Sequence, residues 1–129
     1  DIVEYHEDSK RIAPYLWNVY QEFYGDLSGI LILSVNEPAF LKIASTIADE
    51  KFIKIDDFAK DGMKEFINVV LGNTITKLSG KGYKCNLKPP IILSSSSNLP
   101  GYPDSKTICV KLASPGYELQ ISILYVDKK

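Results

Sequence analysis

One long amphipathic helix, predicted over residues 56–78, most constrains the fold of this chain. Asp56-Asp57 offers carboxylates that can cap its first turn, and it stops at Ser79-Gly80, where glycine can take the left-handed conformation. At about 100° per residue, the apolar side chains gather on one side of the helical wheel. They are Met63, Phe66, Ile67 and Val70. This side is expected to pack against the core.

The opposite side of the helix carries a polar stripe, formed by Asp61, Glu65, Asn68 and Gly72 within an arc of about 60°. Glu65 and Asn68 point outward one turn apart, beside the gap that Gly72 leaves. The stripe is therefore a candidate docking face with one anion and one amide that both donates and accepts hydrogen bonds. An ordinary solvated helix face would look the same. However, a glycine inside a helix destabilises that helix by about 1 kcal/mol. Its presence therefore favours a role in close packing or in the approach of another surface.

The remaining patterns predict five strands and one further helix. The strands cover 15–23, 30–35, 86–93, 106–112 and 117–126, with the prolines of 86–93 at the start of that strand. A turn over 25–29 joins the first two strands, and a turn over 114–116 joins the last two. Asn36 can cap a helix that carries Pro38 in its first turn and ends near Asp49.

This order of elements predicts an α+β fold, a mainly antiparallel sheet with the helices packed on one face. Residues 1–10 are polar and weakly patterned, and we predict no element there. No repeat or linker interrupts the sequence, so we expect a single domain over 1–129.

Composition excludes several classes of function. A net charge of −1 argues against a general nucleic-acid binder, and the longest run without a charged or turn residue, 30–35, is far below the about 18 residues of a membrane span. Cys85 and Cys109 are too few and too far apart for a disulfide scaffold or a zinc site, which suits free thiols in a reducing cytoplasm. His6 is the one histidine and cannot serve a catalytic triad and a metal site; we expect it on a frayed, charged N-terminus.

Four segments together resemble the CheC/CheX/FliY family of chemotaxis phosphatases, and its CheX-like members in particular. They are DGMKEFIN at 61–68 with prolines at 89 and 90, GDLSG at 25–29, PAFLKIAS at 38–45 and NLKPPIIL at 86–93. The spacing from the helix motif to Pro90 is one residue shorter than is usual in the family. The resemblance covers roughly residues 20–126, in the family's order.

The resemblance implies a CheC-like fold and hydrolysis of the phosphoaspartate of a CheY-like receiver in two-component signalling. It implies that Asn68 is catalytic and orients the attacking water, and that Glu65 pairs with the receiver's lysine. Asp61 takes a supporting or capping role and Gly72 a supporting one. This chain is expected to bind no cofactor or metal, because Mg²⁺ is held by the receiver.

The resemblance also implies a cytoplasmic homodimer that pairs through the sheet. The long apolar strand over 117–126 is the candidate edge for this pairing. The family's N-terminal helix is expected to be absent, since residues 1–11 are charged. Two alternatives stay open: a non-catalytic receiver-binding or dimerisation module on the same fold, and an unrelated α+β domain with a polar helix face.

Overall fold

The computed structural model describes residues 2–7 by their backbone and residues 17–94 and 100–129 in full. This part of the chain forms seven strands and two helices. The strands are β1 (Ile2–Glu7), β2 (Trp17–Gly25), β3 (Leu27–Val35), β4 (Cys85–Leu87), β5 (Ile91–Leu93), β6 (Lys106–Ser114) and β7 (Tyr117–Asp127). The helices are α1 (Glu37–Ala48) and α2 (Asp57–Gly80).

All seven described strands belong to one antiparallel sheet. Its order is β1-β6-β7-β3-β2-β4, and β5 also pairs with β2. The predicted α+β class is therefore confirmed. The candidate edge strand of the sequence lies inside the sheet, because β7 pairs with β3 on one side and β6 on the other. Its apolar residues serve the core instead of an exposed edge.

Both helices pack on the same face of the sheet, as predicted. Alternate residues of β2 and β3 point toward them, and these residues share one core cluster with side chains of α1 and α2. The fully or nearly fully buried members include Val19, Val35, Phe40, Met63 and Ile67. Burying each such side chain stabilises the fold by about 1.5–3 kcal/mol, so the apolar stripe of α2 fixes the rotation of that helix.

Side-chain caps set the start of each helix. Asn36 Oδ1 accepts a hydrogen bond from the Ala39 amide at 3.0 Å, and Asp56 Oδ1 accepts one from the Ala59 amide at 2.9 Å. The end of α1 is confirmed by Asp49, which adopts a left-handed conformation (φ 53°). For α2 the left-handed glycine is Gly82 (φ 89°), not Gly80 as predicted, because the helix continues through Gly80.

Two strands differ from their predicted bounds. β3 begins at Leu27, because Ser28 and Gly29 already pair with β7 and the turn is limited to the residues around Asp26. The single strand predicted over 86–93 is two short strands, β4 and β5, separated by Lys88-Pro89-Pro90. Proline cannot donate to the ladder, which accounts for the interruption.

The N-terminal segment contains β1, which we did not predict. It pairs with β6, and His6 lies opposite Cys109 in the register, so the frayed N-terminus expected around His6 is wrong. An edge strand gains its pairing from backbone groups and needs no apolar alternation, which explains why the polar sequence IVEYHE gave no signal. Residues 8–16 lie outside the described residues, as does the first part of the strand predicted over 15–23.

Candidate functional site

The polar stripe of α2 lies on the outside of the molecule. Asp61, Glu65 and Asn68 are exposed, whereas Met63 and Ile67, on the opposite side, are buried. Glu65 and Asn68 are three residues apart on one helix, a spacing that puts their side chains side by side. The predicted geometry of the stripe is confirmed, and a second molecule can reach both groups at once.

Gly62 and Gly72, two of the three glycines in α2, have different surroundings. A Cβ at Gly62 would lie 3.1 Å from the carbonyl oxygen of Ala44, so this glycine lets α1 and α2 approach closely. A Cβ at Gly72 would meet no heavy atom of the described residues within 4 Å. Helix packing therefore explains Gly62, while Gly72 leaves open space beside the stripe.

The Asn68 side chain accepts a hydrogen bond from a buried glutamine of the sheet. Gln21 lies on β2, is 1% exposed, and its Nε2 donates a 2.9 Å hydrogen bond to Asn68 Oδ1. The same Nε2 donates a 2.8 Å hydrogen bond to the backbone carbonyl of Lys88. One side-chain amide thus links the central part of β2, the break between β4 and β5, and the exposed stripe of α2.

The break at Lys88-Pro89-Pro90 supplies the acceptor for this glutamine. The Lys88 amide still donates to the Glu22 carbonyl at 3.0 Å, but Pro89 and Pro90 have no N–H to continue the ladder. The carbonyl of Lys88 accepts from the Gln21 side chain. The paired prolines noted in the sequence therefore shape the strand next to Asn68.

Glu65 presents an unpaired carboxylate. Among the residues that the structure describes, neither Glu65 nor Asp61 makes a side-chain hydrogen bond or an ion pair. Asp61 does not cap α2, because the cap of this helix is Asp56, five residues earlier. The stripe thus offers two acidic groups and one oriented amide to an incoming partner.

Two residues near the stripe were not predicted from the sequence. Gln21 sits between Val19 and Phe23 on the core-facing side of β2, and a polar residue in that alternation was the available signal. Phe58, three residues before Asp61 and seven before Glu65, is 72% exposed on the same face of α2. It adds a large apolar side chain to the N-terminal end of the stripe.

No cluster of three or more His, Cys, Asp or Glu side chains suitable for a metal ion occurs in the described part of the chain. Cys85 is partly buried and Cys109 fully buried, and both are free thiols.

Within the described residues, neither α1 nor α2 combines the length and the apolarity that crossing a membrane requires. The stripe itself offers two carboxylates, which attract a cation, and one carboxamide, which can hold water or an anion.

The sequence matches a family model described as "Chemotaxis phosphatase CheX" over residues 18–112, which is more than half of the chain. That range includes β2 from Asn18 onward, both helices and every residue of the stripe. No curated protein matches the sequence.

Solved structures share the fold. A chemotactic CheC-like protein from Shewanella oneidensis MR-1 is 18% identical with a TM-score of 0.84, covering 98% of this chain and 84% of its own. CheX from Vibrio vulnificus is 16% identical with a TM-score of 0.83, and the match covers 97% of this chain and 84% of the Vibrio chain. The CheX of a CheX–CheY–BeF3–Mg²⁺ complex from Borrelia burgdorferi is 22% identical with a TM-score of 0.71, and the match covers 97% of this chain and 84% of the Borrelia chain.

Proposed function

This chain belongs to the chemotaxis phosphatase CheX family, and we propose that it hydrolyses the phosphoaspartate of a CheY-like receiver with the exposed stripe of α2. The observation that supports this most is the arrangement of Glu65 and Asn68, exposed together on α2 within the matched range. The CheX of Borrelia burgdorferi forms a complex with CheY, BeF3 and Mg²⁺, which supports a receiver as the partner here.

The reaction suits a site without a nucleophile. An acyl phosphate is a reactive bond, so hydrolysis needs a water molecule held in line with the breaking P–O bond more than it needs covalent catalysis. The carboxylate and the amide of the stripe match this requirement. Mg²⁺ would lie in the receiver's acidic pocket and would neutralise charge there, as the Mg²⁺ of the CheX–CheY–BeF3 complex from Borrelia burgdorferi suggests.

Asn68 orients the attacking water. A neutral amide can hold water beside a phosphoryl group without the repulsion that a carboxylate would cause. Its position on a helix packed against the sheet, with Oδ1 bonded to Gln21, gives it the rigidity that positioning requires.

Glu65 anchors the receiver. Its unpaired carboxylate is free to bind the receiver's lysine ammonium in a charge-assisted hydrogen bond, which draws that lysine away from the phosphoryl group. Asp61 adds a second negative charge, the open space at Gly72 admits the receiver's backbone, and Phe58 supplies apolar contact of the kind that protein interfaces favour.

The direct test is to mix the chain with phosphorylated receivers and follow phosphate release. We expect release from at least one CheY-like receiver to accelerate about 10-fold or more with catalytic amounts of the chain. Unphosphorylated receiver in a pull-down measures docking alone. Binding without any acceleration would instead support the non-catalytic module on the same fold. A chain that neither binds a receiver nor accelerates phosphate release would contradict both hypotheses.

We propose further that the chain is a cytoplasmic homodimer that pairs through the outer edge of β1. In the described sheet, β1 pairs only with β6, which leaves its other side free for backbone hydrogen bonds to a second copy. Light scattering should then give twice the single-chain mass of 14.4 kDa. A single-chain mass at micromolar concentration would contradict the dimer and leave the phosphatase proposal intact.

A further inference from the structure

We propose that Gln21 is a positioning residue that fixes the orientation of the Asn68 amide, so that Asn68 presents Nδ2 to the phosphoryl group. The inference deepens the proposed function and rests on it for the identity of the ligand. The contact that carries it is the 2.9 Å hydrogen bond from Gln21 Nε2 to Asn68 Oδ1.

The hydrogen-bond partners decide which way both amides point. A backbone carbonyl only accepts, so the group that Gln21 turns toward the Lys88 carbonyl, at 2.8 Å, must be Nε2. The second hydrogen of Nε2 is donated to Asn68, whose facing atom must then be the acceptor Oδ1. Asn68 Nδ2 consequently points away from the sheet, toward the exposed side of α2.

This orientation matters for the chemistry. An outward NH2 group can donate to a phosphoryl oxygen, or to the water oxygen that attacks phosphorus, while the second lone pair of Oδ1 stays available to the water's proton. The flipped amide would turn a partially negative oxygen toward the anionic phosphoryl group. Without Gln21, rotation of the exposed Asn68 side chain would mix the two arrangements.

Core stability does not explain a glutamine at this position. Gln21 lies between Val19 and Phe23 on the face that packs against the helices, where an apolar residue would bury without an unpaired polar atom. Its Oε1 is buried and has no hydrogen-bond partner among the described residues, which costs stability. The interruption at Pro89-Pro90 also frees the Lys88 carbonyl that holds the glutamine in place.

The test compares Gln21→Met with a matched control, Ser122→Ala. Methionine keeps the length and volume but cannot donate. Ser122 is a fully buried hydrogen-bonding side chain on the opposite face of the sheet, within 3.3 Å of Cys109 Sγ. With a phosphorylated CheY-like receiver, at a temperature where both variants are folded, we expect Q21M to lower kcat about 10- to 100-fold with KM changed less than about twofold. We expect S122A to retain the wild-type kcat and KM.

The kinetic outcomes separate positioning from a structural role. A Q21M enzyme with wild-type kcat, or an equal fall in S122A, would overturn the proposal. A lowered unfolding temperature in Q21M without a lower kcat would identify Gln21 as a structural residue only, and would also overturn it.

A second measurement needs no enzymatic activity. The chain has two glutamines, Gln21 and Gln120, so loss of one side-chain amide pair in the ¹⁵N–¹H spectrum of Q21M assigns Gln21. We expect both Gln21 side-chain protons to exchange slowly with solvent, and one of them to exchange faster in Asn68→Ala. Equal exchange in wild type and N68A would overturn the inference. A wild-type chain inactive on every receiver would contradict the proposed function alone, because the exchange data would still test the Gln21–Asn68 bond.

Discussion

Replacing Asn68 by alanine is expected to lower the rate of receiver dephosphorylation by about 10²–10³-fold, the cost of removing one oriented group that acts only in the transition state. The variant should fold. Asn68 is exposed, and its removal takes one hydrogen bond from Gln21 Nε2, which keeps its bond to the Lys88 carbonyl. A single lost bond of this kind costs about 1 kcal/mol of stability. The measurement is kcat for phosphate release from a phosphorylated receiver at saturating receiver.

A second variant and a control sharpen this result. Asn68→Asp keeps an acceptor for Gln21, yet it brings a negative charge beside the phosphoryl group, so a comparable loss of kcat is expected. Asn73→Ala changes an exposed asparagine on the same helix but outside the stripe, and it should retain wild-type kcat. Wild-type kcat in N68A would remove Asn68 from the mechanism.

Local signals predicted the helices well because their causes are local. The Asn36 and Asp56 caps act within three residues, and the apolar spacing of Met63 and Ile67 is a property of one helix. The exposed stripe followed directly, because a helix that buries one side exposes the other.

The sheet was less predictable because strand pairing is non-local. Nothing within 117–126 indicates that β7 pairs with β3, some ninety residues earlier in the chain, and a long apolar strand suits either an edge or a centre. β1 is held by backbone pairing with β6, which leaves little trace in its side chains. The break between β4 and β5 follows from two prolines that the sequence displays, but their effect on Gln21 depends on β2 lying alongside.

In the site, too, the residues that share one helix were predictable and the residue that depends on tertiary packing was not. Glu65 and Asn68 were found because they share one helix, whereas Gln21 lies 47 residues from Asn68 in the chain and reaches it only through the packing of α2 on β2. The sequence around Gln21 shows a polar residue in an apolar alternation, and it gives no reason to connect that residue with the helix. Tertiary structure supplied the connection.

Reversing the charge of Glu65 is expected to lower kcat/KM for the phosphorylated receiver about 100-fold, mainly through KM, because a lysine there repels the receiver's ammonium that the carboxylate would bind. Glu65→Gln, which removes the charge but keeps the shape, should lose about 10-fold and should flatten the decrease of kcat/KM with added salt, since exposed charge pairs are screened. Glu50→Lys makes the same change in net charge at an exposed residue outside the stripe and should leave KM unchanged. Equal losses in E65K and E50K would mean that the overall charge, and not the Glu65 contact, governs docking.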